Sequence, residues 1–367
     1  MALRRPAWLT RRRALLVCVI ALLGVLSACS STRYYAQAVG GHLELLSKTR
    51  PVDTVIADPA TPPAVVRKLQ LARDMRQFAS RELGLPDNDS YKRYADLGRP
   101  YAVWNVVSTP ELSLTPRASC FFFVGCISYR GFFSEHDARD FAAARSAAGD
   151  DVYVYGVPAY STLGWLSDPL LNTFLGYSDT DLARLIFHEL AHQLVYVDGD
   201  SAFNEAFATS VEIEGARRWR LVHGDAAPER ETTSQQRREQ FQHLLAHTQH
   251  QLTEIYTGPA SDADKRTRKH LALQQLLHDY QALKQQWGGY RGYDHWFDPP
   301  PGNAHLASLA TYHNRVPAFS QLLHEQSDEL PKFYAAVREL AKLPTAERNA
   351  RLDALQQRGA STPAATQ

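Results

Sequence analysis

Two histidines and a glutamate stand within five residues of one another, at His188, Glu189 and His192. On a helix, residues four apart lie on one face with Cβ atoms about 5–6 Å apart, so both imidazoles can bind one Zn²⁺ ion. Glu189 lies about 100° around the helix from His188, beside the metal position and not aligned to coordinate it. The spacing therefore predicts a zinc site in which Glu189 takes a proton from a zinc-activated water. The alternative is that both histidines are core residues of an amphipathic helix.

A catalytic zinc takes three protein ligands and leaves one position open. If the next helix packs antiparallel to the first about Gly199, Glu205 and Glu212 lie on the same face of that helix. Both acids are then nearly equally distant from the histidine pair. Spacing alone leaves Glu205 and Glu212 as alternatives for the third ligand.

The helix that carries the motif is predicted from Ser178, which has capping-box spacing to Asp181, to about Val197. Apolar periodicity predicts the other elements. Further helices are expected over 64–83, 134–148, 201–222, 229–255, 262–287, 306–312 and 316–355 (with breaks near Pro331 and Pro344), and strands over 101–107, 120–129 and 151–157. The pattern predicts an α+β, mostly helical, zincin-like metallopeptidase domain over 63–355. Its mixed α/β half would span 63–177 and its helical half 178–355, before a frayed tail at 356–367.

The N-terminus combines five arginines with an apolar run over 14–26 that is short for a membrane span and typical of a signal peptide. The run ends in Leu-Ser-Ala-Cys29, which resembles a bacterial lipobox. The resemblance implies a signal peptide over 1–28 and a lipid on Cys29 that attaches the protein to a membrane. Residues 29–62 are expected to form a lipidated tether followed by a short ordered segment. Ser30 follows, where an aspartate would imply inner-membrane retention, so the expected location is the periplasmic face of the outer membrane. An uncleaved anchor is the alternative.

Two cysteines remain beyond the N-terminal segment, Cys120 and Cys126. A disulfide between them is expected in the oxidising cell envelope, and two free buried thiols are the alternative. Without the first 28 residues the chain has 35 basic and 39 acidic residues. Because the mature chain has no basic excess, nucleic acid is not an expected partner.

The run His-Glu-Leu-Ala-His followed by Asn204-Glu205-Ala-Phe-Ala resembles the gluzincin metallopeptidases, such as thermolysin and the aminopeptidase N type. In these, an Asn-Glu on the following helix supplies the third zinc ligand, which implies that role for Glu205. The interval between His192 and Glu205 is shorter than in those families, so Glu212 stays as the alternative. Thr209 stands where thermolysin-like enzymes orient a histidine with an aspartate, which leaves the orienting partner open.

Most of the chain is also similar to a family of predicted aminopeptidase lipoproteins of Gram-negative bacteria. The resemblance covers the lipobox, Tyr34-Tyr35, the Cys120 and Cys126 pair, Tyr129-Arg130-Gly131, residues 159–165, the zinc motif and residues 303–319. It implies a zinc-dependent peptidase with a peptide substrate, and its name implies an aminopeptidase. The chain shows no match to the glutamate-bearing strand motif with which the aminopeptidase N type holds a free α-amine.

Peptide hydrolysis also needs a donor for the oxyanion, commonly a tyrosine or histidine. Tyr312 and His313 are the candidates, with a packed aromatic pair as the alternative, and residues 153–160 are a candidate edge strand for the substrate backbone. Two other functions stay open. One is a zinc amidohydrolase acting on cell-wall or other non-peptide amides, and the other is a non-catalytic envelope lipoprotein that carries zinc.

Overall fold

The computed structural model of the chain describes residues 34–121, 125–162, 166–223, 228–309 and 315–361. The predicted signal peptide and Cys29 lie outside these ranges. Helices predominate and the sheets are small, which confirms the predicted α+β, mostly helical class. Within the same ranges, no helix has both the length and the apolar character that crossing a bilayer requires.

The elements follow one another in the order that the numbering gives. The helices are α1 (34–47), α2 (Val52–Ala57), α3 (Pro63–Arg81), α4 (Glu135–Ala147), α5 (Asn172–Leu175), α6 (Asp179–His192), α7 (Ser201–His223), α8 (Pro228–Thr257), α9 (Asp262–Gln286), α10 (Asn303–Leu309), α11 (Val316–Glu325), α12 (Leu330–Lys342) and α13 (Thr345–Ser361), with a 3₁₀ turn at Asp294–Phe297. The strands are β1 (Arg50–Pro51), β2 (Arg93–Ala95), β3 (Val103–Pro110), β4 (Ser119–Phe121), β5 (Gly125–Ile127), β6 (Arg130–Phe132), β7 (Asp150–Val157) and β8 (Leu170–Leu171).

The antiparallel sheet β6-β3-β7 forms one wall of the cleft described below. Successive side chains of a strand point to opposite faces. In β3, Trp104 and Val106 pack against α4 on one face. Val103, Asn105 and Val107 point to the other face, where they line the cleft. The sheet therefore separates a face covered by α4 from a face that lines the cleft and is partly covered by α10.

The N-terminal segment is ordered where the structure describes it, so the short ordered segment expected within residues 29–62 begins no later than residue 34. Residues 34–47 form α1, and Leu45, Val52 and Val55 are buried in the main core. Strands β1, β2 and β8 form a second small sheet, in which β2 pairs antiparallel with β1 and parallel with β8. Burial of these apolar side chains offsets the entropy of ordering the segment.

The predicted strand over 120–129 is divided in the structure. Strands β4 and β5 form a hairpin in which Cys120 lies opposite Cys126, and a disulfide joins the two. Strand β6 then leaves the hairpin and pairs with β3. Residues 122–124 lie outside the described ranges.

The C-terminal helices break close to the two predicted prolines, between α11 and α12 and between α12 and α13. The tail predicted to fray from residue 356 instead continues α13 to Ser361. Leu352 and Leu355 are buried in the main core, and Arg358 forms an ion pair with Glu325 of α11 at 2.9 Å. These contacts explain why the helix persists beyond the predicted boundary.

A second apolar cluster holds α8, α9 and the 3₁₀ turn together. Phe241, Tyr280 and Trp296 are its large buried aromatic side chains, and Leu306 of α10 joins them. Asp294 accepts hydrogen bonds from the Tyr280 hydroxyl at 2.6 Å and from the Lys284 ammonium at 2.8 Å. This cluster fixes the position of α8, and one residue of α8 lines the cleft described below.

Candidate metal centre

Helices α6 and α7 pack against each other and carry the motif. Ser178 caps α6, because its Oγ accepts from the Asp181 amide at 3.1 Å. Ion pairs between α6 and α7 join residue 184 to 212 and residue 192 to 205, which is an antiparallel register. Gly215 permits the close approach of α7, since a Cβ there would lie 2.8 Å from a ring carbon of Phe187.

Helix α6 ends at His192, five residues before the predicted end. Asn204 holds the turn that follows: its Oδ1 accepts from the Val197 amide and its Nδ2 donates to the Val197 carbonyl, both at 2.8 Å. Its side chain is buried, and Gly199 takes a positive φ of 73° within the turn. Because α6 ends at His192, α7 can fold back along it. Asn204 fixes the start of α7 and thereby the position of Glu205, the next residue.

The three predicted ligands converge on one point. The Nε2 atoms of His188 and His192 are 3.1 Å apart. Glu205 places Oε2 3.3 Å from His188 Nε2 and Oε1 3.7 Å from His192 Nε2. Two ligand atoms that each lie about 2.0–2.1 Å from a tetrahedral zinc are about 3.3 Å apart. His188, His192 and Glu205 therefore form a group that can hold one metal ion.

Glu212 lies on the opposite side of the His188 ring. Its Oε2 is 2.8 Å from His188 Nδ1, and its Oε1 accepts from Arg184 Nε at 2.9 Å. A carboxylate on the second ring nitrogen fixes the tautomer and orientation of a ligating histidine. This is the orienting partner that the sequence left open, and Thr209 does not fill that role. Across the described residues, His192 Nδ1 has no corresponding hydrogen-bond partner.

The two acids beside the histidines favour a positive charge at this site. Burial lowers the pKa of His188, but hydrogen bonds to Glu205 and Glu212 outweigh it and raise that pKa to about 10. Burial and the positive charge of His188 lower the pKa of His192 to about 4. The pKa values of both glutamates are lowered, because the histidines outweigh the effect of burial. Because a ligating histidine must be neutral, a metal ion would compete with a proton for His188.

Glu189 faces the same cleft and is absent from the group of three ligands. Burial raises its pKa to about 7, the negative charge of Glu205 adds to the rise, and the charge of His188 opposes it. A hydrogen bond from Ser161 also reaches its carboxylate. A carboxylate with a pKa near neutrality is suited to accept and release a proton.

The cleft has a volume of about 940 Å³ and lies between the open sheet face and helices α6 and α7. Strand β7 is an edge strand of that sheet, as predicted, and residues 157–161 at its end line the cleft. The contact of this strand with a substrate backbone stays a prediction. Tyr153, by contrast, stacks on His305 with ring centroids 3.5 Å apart and does not line the cleft.

Tyrosines that the sequence did not single out as donors also line the cleft. Tyr129, Tyr155 and Tyr196 each have a pKa raised by burial, and the negative charge of Glu205 adds to the rise in each case. Glu189 contributes to the rise for Tyr129 as well. These hydroxyls therefore lie near the ligands. The predicted donors Tyr312 and His313 lie outside the described residues.

Comparison with known proteins gives one match, to a protein family. A family model described as "Putative aminopeptidase" matches residues 33–352. No curated protein and no solved structure matches the chain at a significant level. Because the match spans the sheet, the metal centre and most of the helices that follow, the chain belongs to this putative aminopeptidase family.

Proposed function

We propose that this protein is a zinc-dependent peptidase in which His188, His192 and Glu205 hold the zinc ion. The observation that carries the proposal is the convergence of the two Nε2 atoms and the Glu205 carboxylate, at separations of 3.1–3.7 Å. A buried acid with a pKa near 7 beside these ligands supports a hydrolytic role over a purely structural one. The family to which the chain belongs supports a peptide as the substrate.

A bound zinc ion would supply a water that is nucleophilic at neutral pH and would polarise the scissile carbonyl. Glu189 accepts the proton of that water and then delivers it to the leaving amine. Glu212 holds the His188 ring in place through Nδ1. Tyr129, near the carboxylates of both Glu189 and Glu205, is the residue we assign to donate to the developing oxyanion.

Tyr129→Phe is expected to lower kcat about a hundredfold with little change in KM, because the hydroxyl acts on the transition state. Steady-state kinetics on one good peptide would measure this. Tyr153→Phe is the matched control, since Tyr153 lies in β7, stacks on His305 and is not among the residues that line the cleft. An unchanged kcat for the Tyr129 variant would show that Tyr129 is not the donor to the oxyanion.

The experiment that tests the function is peptide turnover by the signal-less protein, with and without zinc chelation. Each peptide is supplied with a free or an N-acetylated α-amine. Chelator-sensitive cleavage of free-amine peptides alone would establish an aminopeptidase, and cleavage of both forms an endopeptidase. If zinc is bound and no peptide is cleaved, the proposal is wrong and peptidoglycan amides become the next substrates to test.

We also propose that the protein is anchored by a lipid on Cys29 at the periplasmic face of the outer membrane. The support is the run Leu-Ser-Ala-Cys29 after a short apolar segment. Cys29→Ser is expected to move the protein from the membrane fraction to the soluble fraction of a bacterial host, as followed by fractionation. Retention of that variant in the membrane would contradict lipid anchoring.

A further inference from the structure

Two arginines line the cleft close to the metal centre, Arg184 on α6 and Arg238 on α8. The guanidinium of Arg184 is held by Glu212, with Nη2 and Oε1 2.7 Å apart. Arg238 is partly buried. In the part of the chain that the structure describes, Arg238 makes no hydrogen bond or ion pair. It is therefore a cleft-lining cation whose donors are free to meet a ligand.

The surroundings of Arg238 explain why a ligand is expected. Its pKa is lowered, first by burial and then by the positive charge of Arg184. Glu212, the nearest balancing charge on α7, is already shared between Arg184 and His188. A guanidinium carries five N–H donors in a fixed geometry that matches a carboxylate. An incoming carboxylate would satisfy these donors and balance the charge of Arg238.

The acids of the cleft do not offer an equivalent site for an amine. Outside the metal centre, Asp181 is the one acidic side chain among the described lining residues. Its Oδ2 accepts from the Ser178 hydroxyl at 2.6 Å, and it contributes to the electrostatic surroundings of Arg238. An α-amine placed there would face two guanidinium groups. Charge therefore favours an anionic group of the substrate at this end of the cleft.

We propose that Arg238, with Arg184 beside it, binds a carboxylate of the peptide substrate and sets its specificity, an inference that rests on the proposed peptidase function. Arg184 precedes His188 by four residues, which is about 6 Å along the helix axis. Neighbouring Cα atoms of a peptide are about 3.8 Å apart. The carboxylate therefore belongs to a residue within about two positions of the scissile bond. The substrate class is short peptides with a free C-terminus, or peptides with an acidic side chain near the bond that is cut.

The test compares matched peptides on the zinc-loaded protein. One pair differs only in a free or an amidated C-terminus, and a second pair carries Glu or Gln next to the scissile bond. We expect kcat/KM to favour the carboxylate member of one pair about tenfold to a hundredfold, as for a charge-assisted hydrogen bond. The first pair reports a terminal carboxylate and the second a side-chain carboxylate.

Arg238→Gln is expected to reduce that preference to about one, mainly through KM. Arg237→Gln is the matched control: its guanidinium lies 4.4 Å from the Tyr290 ring centroid and does not line the cleft. The control should keep the preference. Equal kcat/KM for both members of both pairs would overturn the carboxylate site and leave the peptidase function intact.

Binding gives a measurement that does not depend on turnover. Calorimetry on the zinc-loaded Glu189→Gln protein would compare N-acetylglycine with N-acetylglycinamide. The acid is expected to bind about tenfold more tightly, and Arg238→Gln should remove that difference. A difference that persists in the Arg238 variant, or no difference in either protein, would show that Arg238 does not bind the carboxylate, even if no tested peptide is cleaved.

Discussion

Glu189→Gln is expected to lower kcat by about 10²–10⁴-fold while zinc content stays the same. General acid–base catalysis contributes a factor of that size, and an amide cannot accept the proton. The Glu189 carboxylate is not one of the three converging ligands, so its replacement leaves the metal site complete. Turnover of a cleaved peptide and zinc content per protein molecule would be measured on the same preparation.

The matched control for this variant is Glu339→Gln, the same change at an exposed acid of α12 whose ion pair is with Lys342. It should keep full activity and full zinc. Near-normal turnover by the Glu189 variant would exclude Glu189 as the base. Loss of zinc from that variant would instead show that Glu189 supports the metal.

Local signals in the sequence predicted the elements that carry the motif. Ser178 marks the start of α6, and apolar periodicity gave the type of each long helix. The predicted end of α6 near Val197 was wrong, because side-chain hydrogen bonds from Asn204 close the turn after His192. The contact between Asn204 and Val197 joins α7 to the loop before it. The apolar periodicity of residues 178–197 cannot indicate such a contact, because Asn204 lies outside that range.

The choice between Glu205 and Glu212 could not be made from spacing, since both stand on the same face of α7. The structure separates them by the nitrogen of His188 that each one meets, Nε2 for Glu205 and Nδ1 for Glu212. The roles proposed for Tyr129 and Arg238 could not be inferred from the sequence either. They depend on a strand turn and a distant helix that meet only in the folded cleft.

Two substitutions test whether Glu205 binds the zinc ion and whether Glu212 only orients the His188 ring. Glu205→Ala, like His188→Ala, removes one of three ligands, and we expect neither protein to retain zinc through dialysis. Glu212→Gln keeps an oxygen that can accept from His188 Nδ1–H but loses the negative charge. We expect zinc affinity about 10–100-fold weaker than in the unaltered protein, as for the loss of a partner that orients a ligating histidine.

A competing chelator would give the zinc dissociation constants, and melting curves without metal would show whether each variant is folded. Glu212 also neutralises Arg184 at 2.7 Å, so the Glu212→Gln variant leaves a buried cation without its ion pair. Because Arg184→Gln removes that cation, adding it to Glu212→Gln should restore metal-free stability without restoring zinc affinity. Recovery of both would mean that Glu212 acts through Arg184 alone. If Glu212→Gln loses zinc and Glu205→Ala retains it, then Glu212 is the zinc ligand and Glu205 is the acid that orients His188.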